Sequence, residues 1–239
     1  SDYADLNNDL IPDLYTVDML AENYARSKEN MASMSTSNFM AMVSVGYHHA
    51  YMANTLHYGT ENGTFKETGQ LSGVVKTDWS WAPLLADFDN DGLKDIFVSN
   101  GVYKDYHNQD FRNELKEKNA AGVTMTLDAV LEMMPAEKLN NYIYKNDGNL
   151  HFTNMSEEWG LDDPNFSNGA AYADFDNDGD LDLVVNNINE PSAIYKNNSN
   201  QNYLQIDIKG SDKNSLGLGT KVYVEGEENI QFIEKRVTR

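Results

Sequence analysis

Three nine-residue runs of this chain carry oxygen-bearing side chains at positions 1, 3, 5 and 9. They are Asp5, Asn7, Asp9 and Asp13; Asp87, Asp89, Asp91 and Asp95; and Asp174, Asp176, Asp178 and Asp182. In a tight turn these side chains can converge on one point together with the carbonyl of position 7, which belongs to Ile11, Leu93 and Asp180. Ca²⁺ accepts about six to eight oxygens in flexible geometry, whereas Mg²⁺ usually keeps several waters, so the chemistry expected of such a set is calcium binding. Gly92 and Gly179 fill position 6, where the chain must turn sharply and a missing Cβ helps. In the first run Leu10 stands there instead and Pro12 stiffens the approach to Asp13, so that run fits the pattern less well.

Two other readings of these runs compete. Asp and Asn also make ordinary turns by hydrogen-bonding their own backbone, but two full matches with glycine at equivalent places in a repeat disfavour that account. An EF-hand opens in the same way, yet it needs a bidentate Glu at position 12 and a following helix. Position 12 is Val98 or Val185, inside an apolar run with β character.

The elements that would position the runs recur with them. Each acidic run feeds a β-type segment: Leu14-Tyr15-Thr16-Val17, Ile96-Phe97-Val98-Ser99 and Leu183-Val184-Val185-Asn186. Hairpin signals come next in register. Leu56 to Phe65 aligns with Ile143 to Phe152, each with Asn-Gly or Asp-Gly between apolar residues, and Ile194-Tyr195-Lys196-Asn197-Asn198 begins a third copy. Segments 79–82 and 168–172 then lead into the following acidic run. The unit reads strand, acidic loop, strand, hairpin, strand, and repeated antiparallel units of about four strands suggest an all-β propeller. Two units carry insertions, 18–50 and 103–141, where Leu127, Val130, Leu131 and Met134 fall at helical spacing. Trp79 and Trp81, two apart on a strand, should share one core-facing side of a blade, while Tyr103 and Tyr106 should be exposed.

Composition narrows the function. With 18 Lys plus Arg against 38 Asp plus Glu, the formal charge of −20 disfavours a nucleic-acid partner. Hydrophobic residues make up 40% and aromatics 11%, enough for a core despite that charge. The absence of cysteine excludes disulfides and thiolate zinc sites, and no apolar run is long enough for a transmembrane segment. The opening Ser1-Asp2-Tyr3 falls inside a repeat and carries no leader pattern, so the chain is expected to be a piece of a longer protein. His48 and His49 are adjacent and point apart; His57, His107 and His151 form no ligand spacing, and no nucleophile elbow, phosphate loop or zinc signature is present. No catalytic residue is assigned. The reading is a non-enzymatic recognition or scaffold module, the alternative being a calcium-dependent polysaccharide lyase built on a propeller.

The Asp-Phe-Asp-Asn-Asp-Gly loops resemble the FG-GAP or VCBS class of propeller repeats, found also in integrin α-subunit heads, over residues 1 to about 200. Tyr144-Lys145-Asn146-Asp147-Gly148, Phe152-Thr153-Asn154-Met155-Ser156 and Trp159-Gly160-Leu161 are similar to the cartilage acidic protein branch of that class. In that branch the repeats precede an ASPIC/UnbV module, whose opening strands residues 202–210 and 216–224 resemble, making 201–239 the start of such a module. The helical insertions and Asn-rich loops resemble bacterial surface versions. The resemblance implies FG-GAP/VCBS-type blades of a partial propeller with structural Ca²⁺, export to the cell surface or beyond, and a glycan or protein ligand. It also implies that remaining blades come from further sequence or from another chain.

Overall fold

Each acidic run forms the turn between two antiparallel strands, as the repeat requires. The computed structural model describes residues 1–30, 36–226 and 230–236; parts of the first insertion and of the tail fall outside these. In chain order the first blade contains β1 (Asp2–Ala4) and β2 (Asp13–Thr16). Then come β3 (Met19–Leu20), α1 (Tyr24–Asn30) and α2 (Thr36–Ser44), before β4 (Thr55–Gly59) and β5 (Phe65–Glu67) complete the blade in the order β1-β2-β4-β5. A single turn, α3 (Gly69–Ser72), leads onward to the second blade.

The second blade is built from β6 (Asp78–Ala86) and β7 (Asp95–Asn100), then, after α4 (Gln109–Ala120) and α5 (Leu127–Met133), from β8 (Tyr142–Gly148) and β9 (His151–Asn154). β3 adds to its β6 edge, giving the order β3-β6-β7-β8-β9. The third blade has three strands, β10 (Ser167–Ala173), β11 (Asp182–Asn187) and β12 (Ala193–Tyr195). A separate hairpin, β13 (Lys221–Glu225) and β14 (Ile230–Glu234), ends the described chain. The protein is all-β in its framework, with propeller blades of FG-GAP type and helical insertions.

The core lies between blades. Leu6, Tyr15, Leu56, Leu85, Ile96, Val98 and Tyr144 pack between the first and second, and Leu84, Phe88, Phe97, Ile143, Leu183 and Val185 between the second and third. Alternate residues of β7 therefore serve different cores, Ile96 and Val98 on one side and Phe97 on the other. Burial of both faces explains why its sequence is a continuous apolar run instead of an alternation.

Three local expectations change. Trp79 is buried, against the rings of Tyr106 and His107, but Trp81 is exposed and its indole N–H donates to the Gly101 carbonyl (2.8 Å). A register shift in the β6–β7 ladder between Ser80 and Pro83 breaks the two-residue alternation that placed both indoles on one face. In the β8–β9 hairpin the turn is made by Asn149 and Leu150, with φ of 51° and 65°, one step beyond the Asp-Gly pair. Leu150 packs partly against the first inter-blade core, which offsets its left-handed backbone. Finally, residues 202–210 form no strand, and regular pairing in the tail begins at Lys221.

The insertions meet one another. The guanidinium of Arg26, on α1, is buried beside Asp78 (2.6 Å), Asp105 (4.0 Å) and Glu137, so one cation fastens both insertions to the inner strand of the second blade. Asn108 and Thr126 cap the following helices, accepting from the amides of Phe111 (3.0 Å) and Ala129 (3.3 Å). The Leu127–Met134 periodicity does form a helix, but α5 buries none of its residues.

Candidate metal centres

The three acidic loops share one backbone. Asn8, Asn90 and Asn177 at position 4 have φ of 56°, 57° and 60°, and Leu10, Gly92 and Gly179 at position 6 have φ of 70°, 92° and 95°. Asn tolerates this left-handed region and Gly is indifferent to it, whereas Leu10 enters it at a cost. The position-1 carboxylate holds the shape. Asp5 accepts from the amides of Asp9 (3.1 Å) and Leu10 (2.9 Å), Asp87 from Asp91 (3.1 Å) and Gly92 (2.9 Å), and Asp174 from Asp178 and Gly179 (both 3.1 Å).

Position 9 ties the loop to the third strand of its blade or, in the third blade, to the residues just after it. Asp13 accepts from Leu6 (2.8 Å) and Gly59 (2.9 Å), Asp95 from Phe88 (3.0 Å) and Asn146 (2.9 Å), and Asp182 from Phe175 (3.0 Å) and Asn197 (2.8 Å). Each acidic loop is thus closed at both ends by its own carboxylates.

Convergence is partial. One carboxylate oxygen from each of Asp87, Asp89 and Asp95 lies within 4.8 Å of the others, and the same holds for Asp174, Asp176 and Asp182. Positions 1, 3 and 9 of the second and third loops are therefore brought together. Asp91 and Asp178, at position 5, stand outside these groups and bond instead to lysines: Lys145 bridges Asp89 and Asp91 (2.6 Å), and Lys196 bridges Asp176 and Asp178 (3.3 Å). In the first loop Asp5, Asp9 and Asp13 form no such group, and Asn7 donates its amide to Asp9 (3.0 Å). The position-7 amides of Ile11, Leu93 and Asp180 donate to the position-5 carboxylates at 2.9, 2.9 and 3.4 Å. Asp180 also buries its own carboxyl, which burial and neighbouring Asp178 push up to about 6.

The electrostatics favour a cation. Burial, only partly offset by backbone N–H donors and reinforced by neighbouring carboxylates, pushes Asp95 up to about 8, Asp13 to about 7 and Asp87 to about 6; Asp5 is raised for the same reasons. A hard, anionic, convergent oxygen set held against its own repulsion fits Ca²⁺.

Sequence reasoning overlooked the residues that join one loop to the next. Asn8 donates to the Gly92 carbonyl (3.0 Å) and Asn90 to that of Gly179 (3.2 Å), while Asn146 reaches back to Leu6 (2.8 Å) and Asn197 to Phe88 (2.5 Å). The recurrence of Tyr-Lys-Asn at 144–146 and 195–197 was the available signal. In the first blade Gly59 takes the Asn position, because a Cβ there would lie 2.6 Å from Ile11 Cγ2 and 2.7 Å from the Pro12 carbonyl oxygen.

Comparison with known proteins agrees with this geometry. Residues 40–98 and 130–185 match the family model described as FG-GAP-like repeat. Over those two spans the chain is similar to FG-GAP-like repeats. Each matched span runs from the insertion or hairpin of one blade through the acidic loop of the next, so the FG-GAP-like sequence unit straddles two structural blades. The chain is also similar to cartilage acidic protein 1 of Mus musculus, 39% identical over 56 residues, which cover 23% of this chain and 9% of that protein. Against cartilage acidic protein 1 of Homo sapiens the identity is 29% over 96 residues, 39% of this chain and 14% of that protein. The chain thus matches only a small part of the length of these relatives.

Proposed function

We propose that this chain is a calcium-stiffened propeller module of an extracellular or cell-surface protein, of the bacterial surface type, that recognises a glycan or protein and catalyses nothing. The observation that carries the calcium reading is the repetition of one loop geometry at one place in successive blades, with three carboxylates, one of them buried, brought within 4.8 Å in two of them. Asp87, Asp89 and Asp95 would hold one ion and Asp174, Asp176 and Asp182 another, with Asp91 and Asp178 and the position-7 carbonyls completing the sets. Asp5, Asn7, Asp9 and Asp13 would form the third. The ion's role is structural: it neutralises converging charge and adds stability by binding the folded state.

Recognition is supported by the two insertions, which Arg26 joins through Asp105 and Glu137 and which carry exposed Tyr103, Tyr106 and Leu127. An extracellular setting fits the repeats and the curated relatives, and no helix among the described residues is long and apolar enough to cross a membrane. Further blades, from additional sequence or another chain, would complete the ring. Phe175 is 54% exposed where its counterparts Leu6 and Phe88, at 1% and 5%, are covered by the next blade. An ASPIC/UnbV-like module would follow the repeats.

Thermal unfolding with calcium and with chelator tests the reading. The wild-type Tm should fall on chelation, and Asp89→Ala or Asp176→Ala should each lose one ion and part of that shift; variants retaining the full shift would show the ligands to be misassigned. A glycan array probed with and without calcium then tests the ligand class.

A further inference from the structure

Lys145 and Lys196 occupy the same place in two blades. Each directly precedes the Asn whose amide the position-9 carboxylate clamps, and each puts its ammonium between the carboxylates of positions 3 and 5. In the first blade the corresponding residue is Tyr58, and there position 3 is Asn7 instead of Asp. The ammonium and the extra carboxylate therefore appear together or not at all. The first loop has three carboxylates at its ligand positions and no lysine between positions 3 and 5, its nearby ammonium being that of Lys94, which donates to the Asp5 carbonyl (3.2 Å); the second and third loops have four carboxylates and one bridging lysine each.

We infer that Lys145 and Lys196 are built-in counter-cations, which compete with a divalent ion for the position-3 and position-5 carboxylates and so set its affinity. The inference rests on the calcium reading above. The ammonium uses the oxygens of Asp89 and Asp91, or of Asp176 and Asp178, that the ion requires, and a cation left nearby repels a second one. Both effects weaken calcium binding. The same contacts relieve repulsion among four carboxylates when no ion is bound, so the loop keeps its shape. Asp91 and Asp178, outside the convergent groups, share their lysines with Asp89 and Asp176, which lie inside them. A long, flexible side chain suits this role, since it can swing into solvent on exchange.

The test is calcium titration calorimetry on the wild type, the single variant Lys196→Met and the double variant Lys145→Met/Lys196→Met, with Tm measured in chelator for each. Calcium affinity should rise roughly tenfold at each altered site, while the Tm in chelator falls and the Tm in saturating calcium holds. Lys196→Met alters the more exposed ammonium and keeps the test open if the double variant does not fold. Wild-type binding with no gain in affinity in a folded variant would overturn the lysine inference alone. Absence of calcium binding in every protein would overturn the calcium reading and this inference with it.

Discussion

Asp95 sits at the base of the second loop with its oxygens taken by the amides of Phe88 and Asn146 and with Asp87 and Asp89 alongside. Burial is the main reason its carboxyl is pushed from 3.8 to about 8; Asp13, at about 7, and Asp87, at about 6, are shifted for the same reason. The ion-free fold then binds more protons than the unfolded chain from the ordinary carboxylate range up to these raised values. Its stability is accordingly fullest at acid pH and declines as pH rises through that window. Calcium requires the ionised forms, so it reverses the trend. Between about pH 5 and pH 8, Tm in chelator should fall while Tm in saturating calcium stays level or rises, and binding near neutrality should release protons. Scanning calorimetry at several pH values, with titrations in buffers of different ionisation enthalpy, reads both; a chelated Tm that climbs with pH would contradict the account. At this scale the convergence of positions 1, 3 and 9 in the second and third loops was legible in the spacing. Lys145 and Lys196 were not, since they lie 50 and 14 residues beyond Asp95 and Asp182 and meet the loops only through strand pairing.

Each loop is an element with a fixed backbone, and Leu10 is its least comfortable residue. Its φ of 70° is in the left-handed region that the glycines of the other two loops occupy, and its side chain is exposed. A left-handed conformation costs a residue with a Cβ about 1 kcal/mol or more, so Leu10→Gly should stabilise the protein by about 1 kcal/mol. Chemical denaturation would measure it, and a loss of stability would mean that the Leu10 side chain contributes packing. The strands followed their apolar pattern, yet the exposure of Trp81 did not. Pro83 within the same strand was the warning, because proline in a ladder accompanies a bulge and a bulge resets which side chains face inward. The unpaired segment 202–210 has the alternation of a strand, with Tyr203, Leu204 and Ile206 exposed, but pairing needs a neighbour that alternation cannot supply.

Over the whole molecule, acidic loops and blade interfaces are one system. Asn8 and Asn90 run from each loop to the next, Asn146 and Asn197 run back, and the apolar residue at position 2 of the first and second loops fills an inter-blade core. An ion that stiffens one loop therefore steadies the seam beside it. The repeat and the blade type were legible in the sequence because the same nine-residue pattern recurs three times, whereas the Arg26 cluster was not, since its partners Asp78, Asp105 and Glu137 are scattered along the chain. The central claim is that these loops are calcium sites. Native mass spectrometry of the protein equilibrated with calcium, then with chelator, tests it most directly: the account predicts two or three bound Ca²⁺ that chelator removes, two from the loops whose carboxylates converge and a third if the Asn7 loop is competent, and a protein that takes up no calcium would contradict it.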